Sequence, residues 1–291
     1  MSQASESAVV APRHDAHLHF FYPGFAGRVP ATCRRLAPDE FTLYTALAAQ
    51  HHIGQALIVG YEGSDWAYGN NAYIAHLAEQ HAWIRPLAFV AEPASLTVAQ
   101  LKTWVAQRFV GITFYVHTDA TRHALAQTPL QVWRWLADHG LLVSVNSRGE
   151  TWRAWDPILA HTPALRVLAS HLGSPPAVAE ALDLSTAAQA LQPLTDLARY
   201  PGMHVKISGF YGATEPSHAY PHHAAWPYVQ VIHEVFGTER LVWGSDFSPA
   251  LESVSFPQTV DVVAAIPFWS QAERAAVWGG NLARLLSQVV A

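Results

Sequence analysis

A single-domain (β/α)8 barrel is the fold this sequence predicts, on three observations. Short apolar runs alternate with amphipathic stretches eight times along the chain, the trace that parallel strands with right-handed helical crossovers leave in a sequence. At 291 residues, 51% hydrophobic and only 13% charged, the chain suits one large buried interior rather than two average domains. Polar residues also recur at the ends of runs one, five, six and eight, where such a barrel gathers its chemistry. The rival, a doubly wound open sheet, would carry a glycine-rich phosphate loop after its first strand, and none follows here.

The elements justify themselves in order. Residues 1–12 are small and polar, without a basic or an apolar segment, and read as a disordered tail rather than a signal peptide. The barrel is expected over 13–291. Strand one is Arg13-His14-Asp15-Ala16-His17-Leu18-His19-Phe20, where a period of two turns His17 and His19 to one face and Ala16, Leu18 and Phe20 to the other. Residues 21–38 hold three prolines, two glycines and three arginines without periodicity and predict a long loop. A helix opens at Pro38-Asp39-Glu40, with proline and acids suited to its first turn, and runs to Gln50 before Gly54. Strands two to five fall at 55–59, 87–90, 110–116 and 141–146, with helices at 71–81, 98–107, the Trp133/Trp135 segment up to Asp138, and 152–160. Strands six to eight fall at 166–171, 204–208 and 241–246, with helical stretches up to Arg199, over 226–236 and through the C-terminal residues.

Composition excludes several function classes. A net charge of -5 without any Lys/Arg run argues against a nucleic-acid partner. No apolar run approaches the roughly 20 residues that span a bilayer, so a soluble protein with no membrane partner is expected. The single cysteine, Cys33, cannot form an internal disulfide, which points to a reducing, cytoplasmic setting. The expected partner is a small-molecule substrate; oligomeric state is not legible.

Four residues meet on one rim if the barrel is right. His17 and His19 project two imidazoles into one space, a layout for binding a metal or polarising a carbonyl. His171 ends strand six, and Asp246 ends strand eight, where a carboxylate closing a buried run must be hydrogen-bonded, ligated or at work. A helix N-cap is the bland alternative for Asp246. Asn146 and Arg148 share a face at the end of strand five, and the planar Arg148 fork suits a substrate carboxylate or hydroxyl, with a surface salt bridge as its plain alternative. Tyr115, His117, Trp152 and Tyr211 lie on strand-end loops as candidate pocket walls, although aromatics more often pack. Lys206, within strand seven, reads as a partly buried structural lysine rather than a Schiff-base former. His51, His52, His76, His81, His123, His139, His161 and His233 sit at helix ends and faces and read mostly as bystanders, whereas His222-His223 is placed to cover the site.

The ordered set resembles the amidohydrolase superfamily, amidohydrolase-2 type, in its sugar lactonase and pyrone-dicarboxylate lactonase branch. The resemblance is carried by His-Asp-Ala-His-Leu-His in strand one, Phe109-Val110-Gly111-Ile112, Ala169-Ser170-His171-Leu172-Gly173, Val205-Lys206-Ile207-Ser208-Gly209, the stretch Phe236 to Asp246, and Gly280-Asn281-Leu282-Ala283-Arg284. It implies a distorted barrel with the His-x-His pair and Asp246 around the reacting centre. Two departures narrow it. Members with two metals usually carry a bridging Lys or Glu on strand four, where Thr113 stands; decarboxylases and mononuclear deaminases usually place a metal-binding His on strand five, where Asn146 stands.

The expected activity is opening of a sugar aldonolactone or related carboxylated lactone by water. Asp246 is the expected general base, and His17, His19 and His171 the groups that polarise the carbonyl, with or without one divalent metal. His17, His19 and Asp246 are the expected ligands for such an ion, zinc by ligand type, and the balance leans to no obligatory metal. Arg148, Asn146, Tyr115 and Trp152 are the expected substrate contacts. A metal-dependent decarboxylase of the same superfamily and a non-catalytic barrel retaining the His/Asp cluster are the alternatives.

Overall fold

The computed structural model describes residues 12–29 and 39–290. Cys33, Pro38 and nearly all of the N-terminal tail lie outside them. Eight parallel strands, β1 (Arg13–Leu18), β2 (Ile53–Val59), β3 (Ile84–Phe89), β4 (Gly111–Val116), β5 (Leu142–Ser147), β6 (Arg166–Ala169), β7 (Met203–Ile207) and β8 (Leu241–Trp243), lie in sequence order in one sheet. A single bridge, Leu18 to Phe247, brings β1 and the end of β8 together, so the sheet curls into a nearly closed TIM barrel of one domain.

Helices follow the strands: α1 (Glu40–Gln50), α2 (Asn70–Gln80), α3 (Val98–Ala106), α4 (Asp119–Ala126), α5 (Leu130–Asp138), α6 (Asp156–His161), α7 (Leu184–Thr195), α8 (Phe210–Ala213), α9 (Trp226–Phe236), α10 (Phe256–Ala265), α11 (Gln271–Ala275) and α12 (Asn281–Leu286). Their starts are written locally. The Asp39 carboxylate accepts from Thr42 N at 2.6 Å at the start of α1, and Thr97 accepts from Gln100 N at the start of α3. The Thr118/Thr121 and Ser270/Glu273 boxes cap α4 and α11. Among the described residues no helix is long and apolar enough to cross a membrane.

Strand alternation sorts the core into two layers. Leu18, Ile58, Phe114, Val145 and Ile207 belong to the large layer shared with the helices, whereas Leu57, Leu87, Leu142, Leu168 and Val242 form a second cluster inside the barrel. Leu282 and Leu285 of α12 pack into this inner cluster and close the N-terminal end. Above it the inward positions become polar, with Ser144 and Asn146 on β5 and Lys206 on β7, whereas His204 lies at the N-terminal end beside Arg284 and Leu285.

The expected alternation fails at one place. Ala16 joins the inner cluster instead of the face shared by Leu18 and Phe20. Between the pairs Asp15↔Ala56 and Leu18↔Ile58, β1 advances by three residues against two on β2, a β-bulge. The Asp15 carboxylate accepts from His17 N at 3.0 Å and holds that extra residue. The bulge lets Ala16 and His17 both face inward. Strands six and eight also end earlier than expected, at Ala169 and Trp243, so that His171 and Asp246 sit on the turns beyond them.

Candidate active site

The site forms at the C-terminal end of the barrel, where loops after the strands meet. His17 and His19 come from β1 and the residue beyond it, His171 from the turn after β6, and Asp246 from the turn after β8. The latter two have left-handed backbones, His171 at φ 55° and Asp246 at φ 56°, a conformation that non-glycine residues adopt at a cost and that clusters at functional positions. Two glycines make room. A Cβ on Gly209 would stand 2.6 Å from the His171 ring, and one on Gly244 would stand 2.7 Å from the His17 Cβ.

The four side chains converge. The Nε2 atoms of His17 and His19 are 3.2 Å apart, and Asp246 Oδ1 lies 3.6 Å and 3.7 Å from them. Asp246 Oδ2 accepts from the Tyr211 hydroxyl at 2.6 Å and lies 3.7 Å from His171 Nδ1. Each carboxylate oxygen thus faces a different pair of groups. His19 Nδ1 lies 2.7 Å from the Val59 carbonyl, which only accepts, so His19 carries its proton there and turns a lone pair on Nε2 toward His17 and Asp246.

Beneath the cluster lies a fully buried lysine. Lys206 Nζ is 3.0 Å from His17 Nδ1 and donates to Ser144 Oγ at 2.7 Å. It is 0% exposed, which corrects the expectation of partial burial. Burial pulls its pKa down to about 7, against the opposing pull of Asp15 and Asp246. Burial likewise lowers His19 to about 4 and His171 to about 3, and, with help from Lys206, holds His17 well below its ordinary value. All three imidazoles are therefore neutral at neutral pH. Burial raises Asp246 to about 6, partly offset by His19, Tyr211 and Lys206.

Two more buried carboxylates fasten the frame. Asp15 accepts from Ser245 N at 2.9 Å and Tyr44 Oη at 2.9 Å as well as from His17 N, tying β1 to β8 and α1. Glu40 accepts from Phe21 N, Phe25 N and Ser248 Oγ, which joins the loops after β1 and β8. In the sequence Glu40 shows only as an acid suited to a helix start, and the partners of both residues lie too far along the chain to be seen.

The cluster opens into a cavity of about 590 Å³. His19, His171, Asp246, Tyr211, His117 and Asn146 supply its polar lining, with His117 Nε2 and Asn146 Oδ1 3.0 Å apart. Phe21, Phe25, Tyr61, Trp66, Phe89 and Tyr115 supply its aromatic lining. A smaller alcove of about 150 Å³ shares Asn146, His171 and Tyr211 with it. Among the sequence candidates, Tyr115 and Asn146 thus reach the cavity. Trp152 does not: it is buried in the wall behind the site, its indole donating to the Gly173 carbonyl at 2.8 Å. Arg148 is exposed and lines neither chamber, because β5 ends at Ser147 and the chain turns outward into a helical turn from Gly149. His222 is buried against Thr214 and covers the α8 turn rather than the cavity.

Comparison with known proteins agrees with this architecture. The amidohydrolase family model, of the amidohydrolase-2 type, matches residues 14–288. The chain belongs to the amidohydrolase family. An amidohydrolase from Burkholderia multivorans, solved with bound zinc, superposes with a TM-score of 0.74 at 23% identity over 95% of this chain and 99% of that one. A Pseudomonas putida chain described as a 2-pyrone-4,6-dicarboxylic acid hydrolase gives 0.71 at 19% identity, over 96% and 98%. An L-fucono-1,5-lactonase from Burkholderia ambifaria is 32% identical over 88 residues, 29% of this chain and 27% of that protein. That match spans about a quarter of the lactonase's length.

This amidohydrolase carries a donor set that suits a divalent ion. His17, His19 and Asp246 each offer one ligand atom, all within 4.8 Å of one another. Their separations of 3.2, 3.6 and 3.7 Å bracket the edge of about 3.4 Å expected between tetrahedral zinc ligands. His19 already presents the correct lone pair.

Proposed function

We propose that the protein opens a lactone by attack of water, with Asp246 as general base. The observation that carries this reading is the placement of the Asp246 carboxylate: buried at the cavity floor, held on Oδ2 by Tyr211, and flanked within 3.7 Å by three imidazoles. A lactone carbonyl seated there meets the neutral imidazole of His171, which as its Nε2–H tautomer donates to the oxyanion of the tetrahedral intermediate. Asp246 takes the proton of the attacking water and later hands it to the leaving alkoxide, so ester and water become a hydroxy acid. Tyr211 steers the carboxylate, and Lys206 with Ser144 steers His17. The pyrone hydrolase and lactonase relatives support the reaction class.

His17, His19 and Asp246 would hold one divalent ion, zinc by ligand type, and the zinc-bound Burkholderia structure supports that occupancy. When bound, the ion supplies Lewis acidity at the carbonyl. The chemistry does not depend on it in this reading, because Lys206 donating to His17 Nδ1 leaves the proton of His17 on Nε2, facing His19. A proton and a metal ion thus compete for one position.

A pH-indicator assay over aldonolactones, pyrone and muconate lactones tests the reading. Acid release that Asp246→Asn abolishes while substrate still binds is the expected result. Turnover retained in that variant, or carbon dioxide released in place of acid, overturns it.

A further inference from the structure

Resting on the lactone-opening reading, we infer that the substrate is an uncharged lactone bearing a flat apolar group, such as an aryl-fused ring, rather than a sugar lactone or a dicarboxylate. The cavity's aromatic wall carries this inference. Phe21 stacks on His19 with centroids 5.5 Å apart and meets the edge of Trp66 at 4.8 Å. Tyr61 continues the wall, 5.9 Å from Trp66, 5.5 Å from Phe89 and 5.0 Å from Tyr115. Ring follows ring from the His19 imidazole through Phe21, Trp66 and Tyr61 to Tyr115. Such a surface rewards a planar apolar guest through stacking and area burial.

The rival substrates find less. A sugar lactone carries a hydroxyl on most ring carbons, and each one buried without a partner is costly. The wall answers with the hydroxyls of Tyr61, already 3.1 Å from Ser64 Oγ, and Tyr115, which burial keeps as a neutral phenol. A dicarboxylate would enter beside the Asp246 carboxylate, and among the described residues no lysine or arginine lines the chamber; Lys206 is fully covered. Of the polar lining groups, Asn146, His171 and Tyr211 also border the small alcove, which the rings of Phe21, Tyr61, Trp66 and Phe89 do not. That division fits an ester at the junction, one small polar substituent in the alcove and a flat ring against the aromatics.

Dihydrocoumarin, L-fucono-1,5-lactone and 2-pyrone-4,6-dicarboxylate, assayed side by side on the full chain, test the inference. Dihydrocoumarin should show a kcat/KM at least about tenfold above the other two, as expected where stacking decides the preference. Trp66→Ala and Phe25→Ala, at half-exposed positions, should each raise its KM by about fivefold or more with little change in kcat. Preference for the sugar lactone or the dicarboxylate, or an unchanged KM in both variants, overturns the inference. If no lactone is hydrolysed, the functional reading has failed instead, and calorimetry with chroman, the same fused ring without the carbonyl, decides the wall's role. Chroman binding that Trp66→Ala weakens upholds the ligand class, and no chroman binding to the wild-type protein refutes it.

Discussion

Lys206 Nζ and His17 Nδ1 stand 3.0 Å apart in a space closed to solvent. The contact decides which nitrogen of His17 carries the proton, and with it what His17 presents to His19 and Asp246. Lys206→Met keeps the volume and removes an ammonium that burial disfavours, which offsets the donor lost to His17 Nδ1 and Ser144 Oγ. The expected outcome is a kcat lowered at least about tenfold with a melting temperature within a few degrees of wild type. Steady-state kinetics beside thermal unfolding checks this; an unchanged kcat would remove Lys206 from the machinery.

The pH profile follows from Asp246. Its pKa is raised to about 6, and a base works only when deprotonated, so kcat/KM is lost as pH falls through about 6. Below that point the rate should drop about tenfold per pH unit, and above it a plateau should begin. His19, at about 4, and His171, at about 3, remain neutral across this window, and Lys206, at about 7, keeps an N–H for His17 when it loses its proton, so none of them adds a second limb there. A pH-rate series in constant ionic strength reads the inflection directly, and one near pH 4 would point to a different base.

Removal of metal separates the two occupants of the His17–His19–Asp246 cluster. Treatment with a strong chelator should leave kcat/KM within about threefold of the starting value, because His171 and Asp246 retain the chemistry. Metal content measured by atomic emission before and after treatment anchors the comparison. Activity that vanishes and returns with zinc would show the ion to be obligatory.

Asp15→Ala should be the most damaging single change in the frame. It leaves Ser245 N, His17 N and Tyr44 Oη buried without their acceptor, at about 1–3 kcal/mol for each lost partner. Against a total stability of about 5–15 kcal/mol, thermal unfolding should begin well below the wild-type transition. A melting temperature within two or three degrees of wild type, roughly 1 kcal/mol, would mean that the loops are fastened elsewhere.

Arg148→Ala should change kcat/KM by less than about twofold, since surface changes away from a site rarely matter. The side chain is exposed and reaches neither chamber. A large rise in KM for a carboxylated substrate would return it to the site.

Much of this architecture is legible in the sequence because barrel strands announce themselves. Each is a short apolar run, and residues at its C-terminal end must face the mouth, so His17, His19, His171 and Asp246 could be placed together without knowing any distance. Periodicity cannot show a bulge, and Ala16 is accordingly on the unexpected face. Nor can it separate a short helix from its neighbour: α4, eight residues between Thr118 and Gln127, merges into the approach to α5. Trp152 and Arg148 illustrate another limit. One or two residues past a strand the backbone turns, and whether a side chain enters the pocket, the wall or the solvent depends on torsions that the strand pattern no longer governs. The contacts of Lys206, Glu40 and Tyr211 are hidden for a simpler reason: His17 lies 189 residues from Lys206, Ser248 208 from Glu40, and Asp246 35 from Tyr211.

The tie between Asp15 and Ser245 joins residues 230 positions apart. During synthesis the first strand therefore waits, its histidines without their carboxylate, until β8 and the turn beyond it have emerged. Closing so long a loop is slow in entropic terms, and the inner face of β1 is left open for that interval. Catalytic competence should consequently arise in one step at barrel closure rather than by degrees.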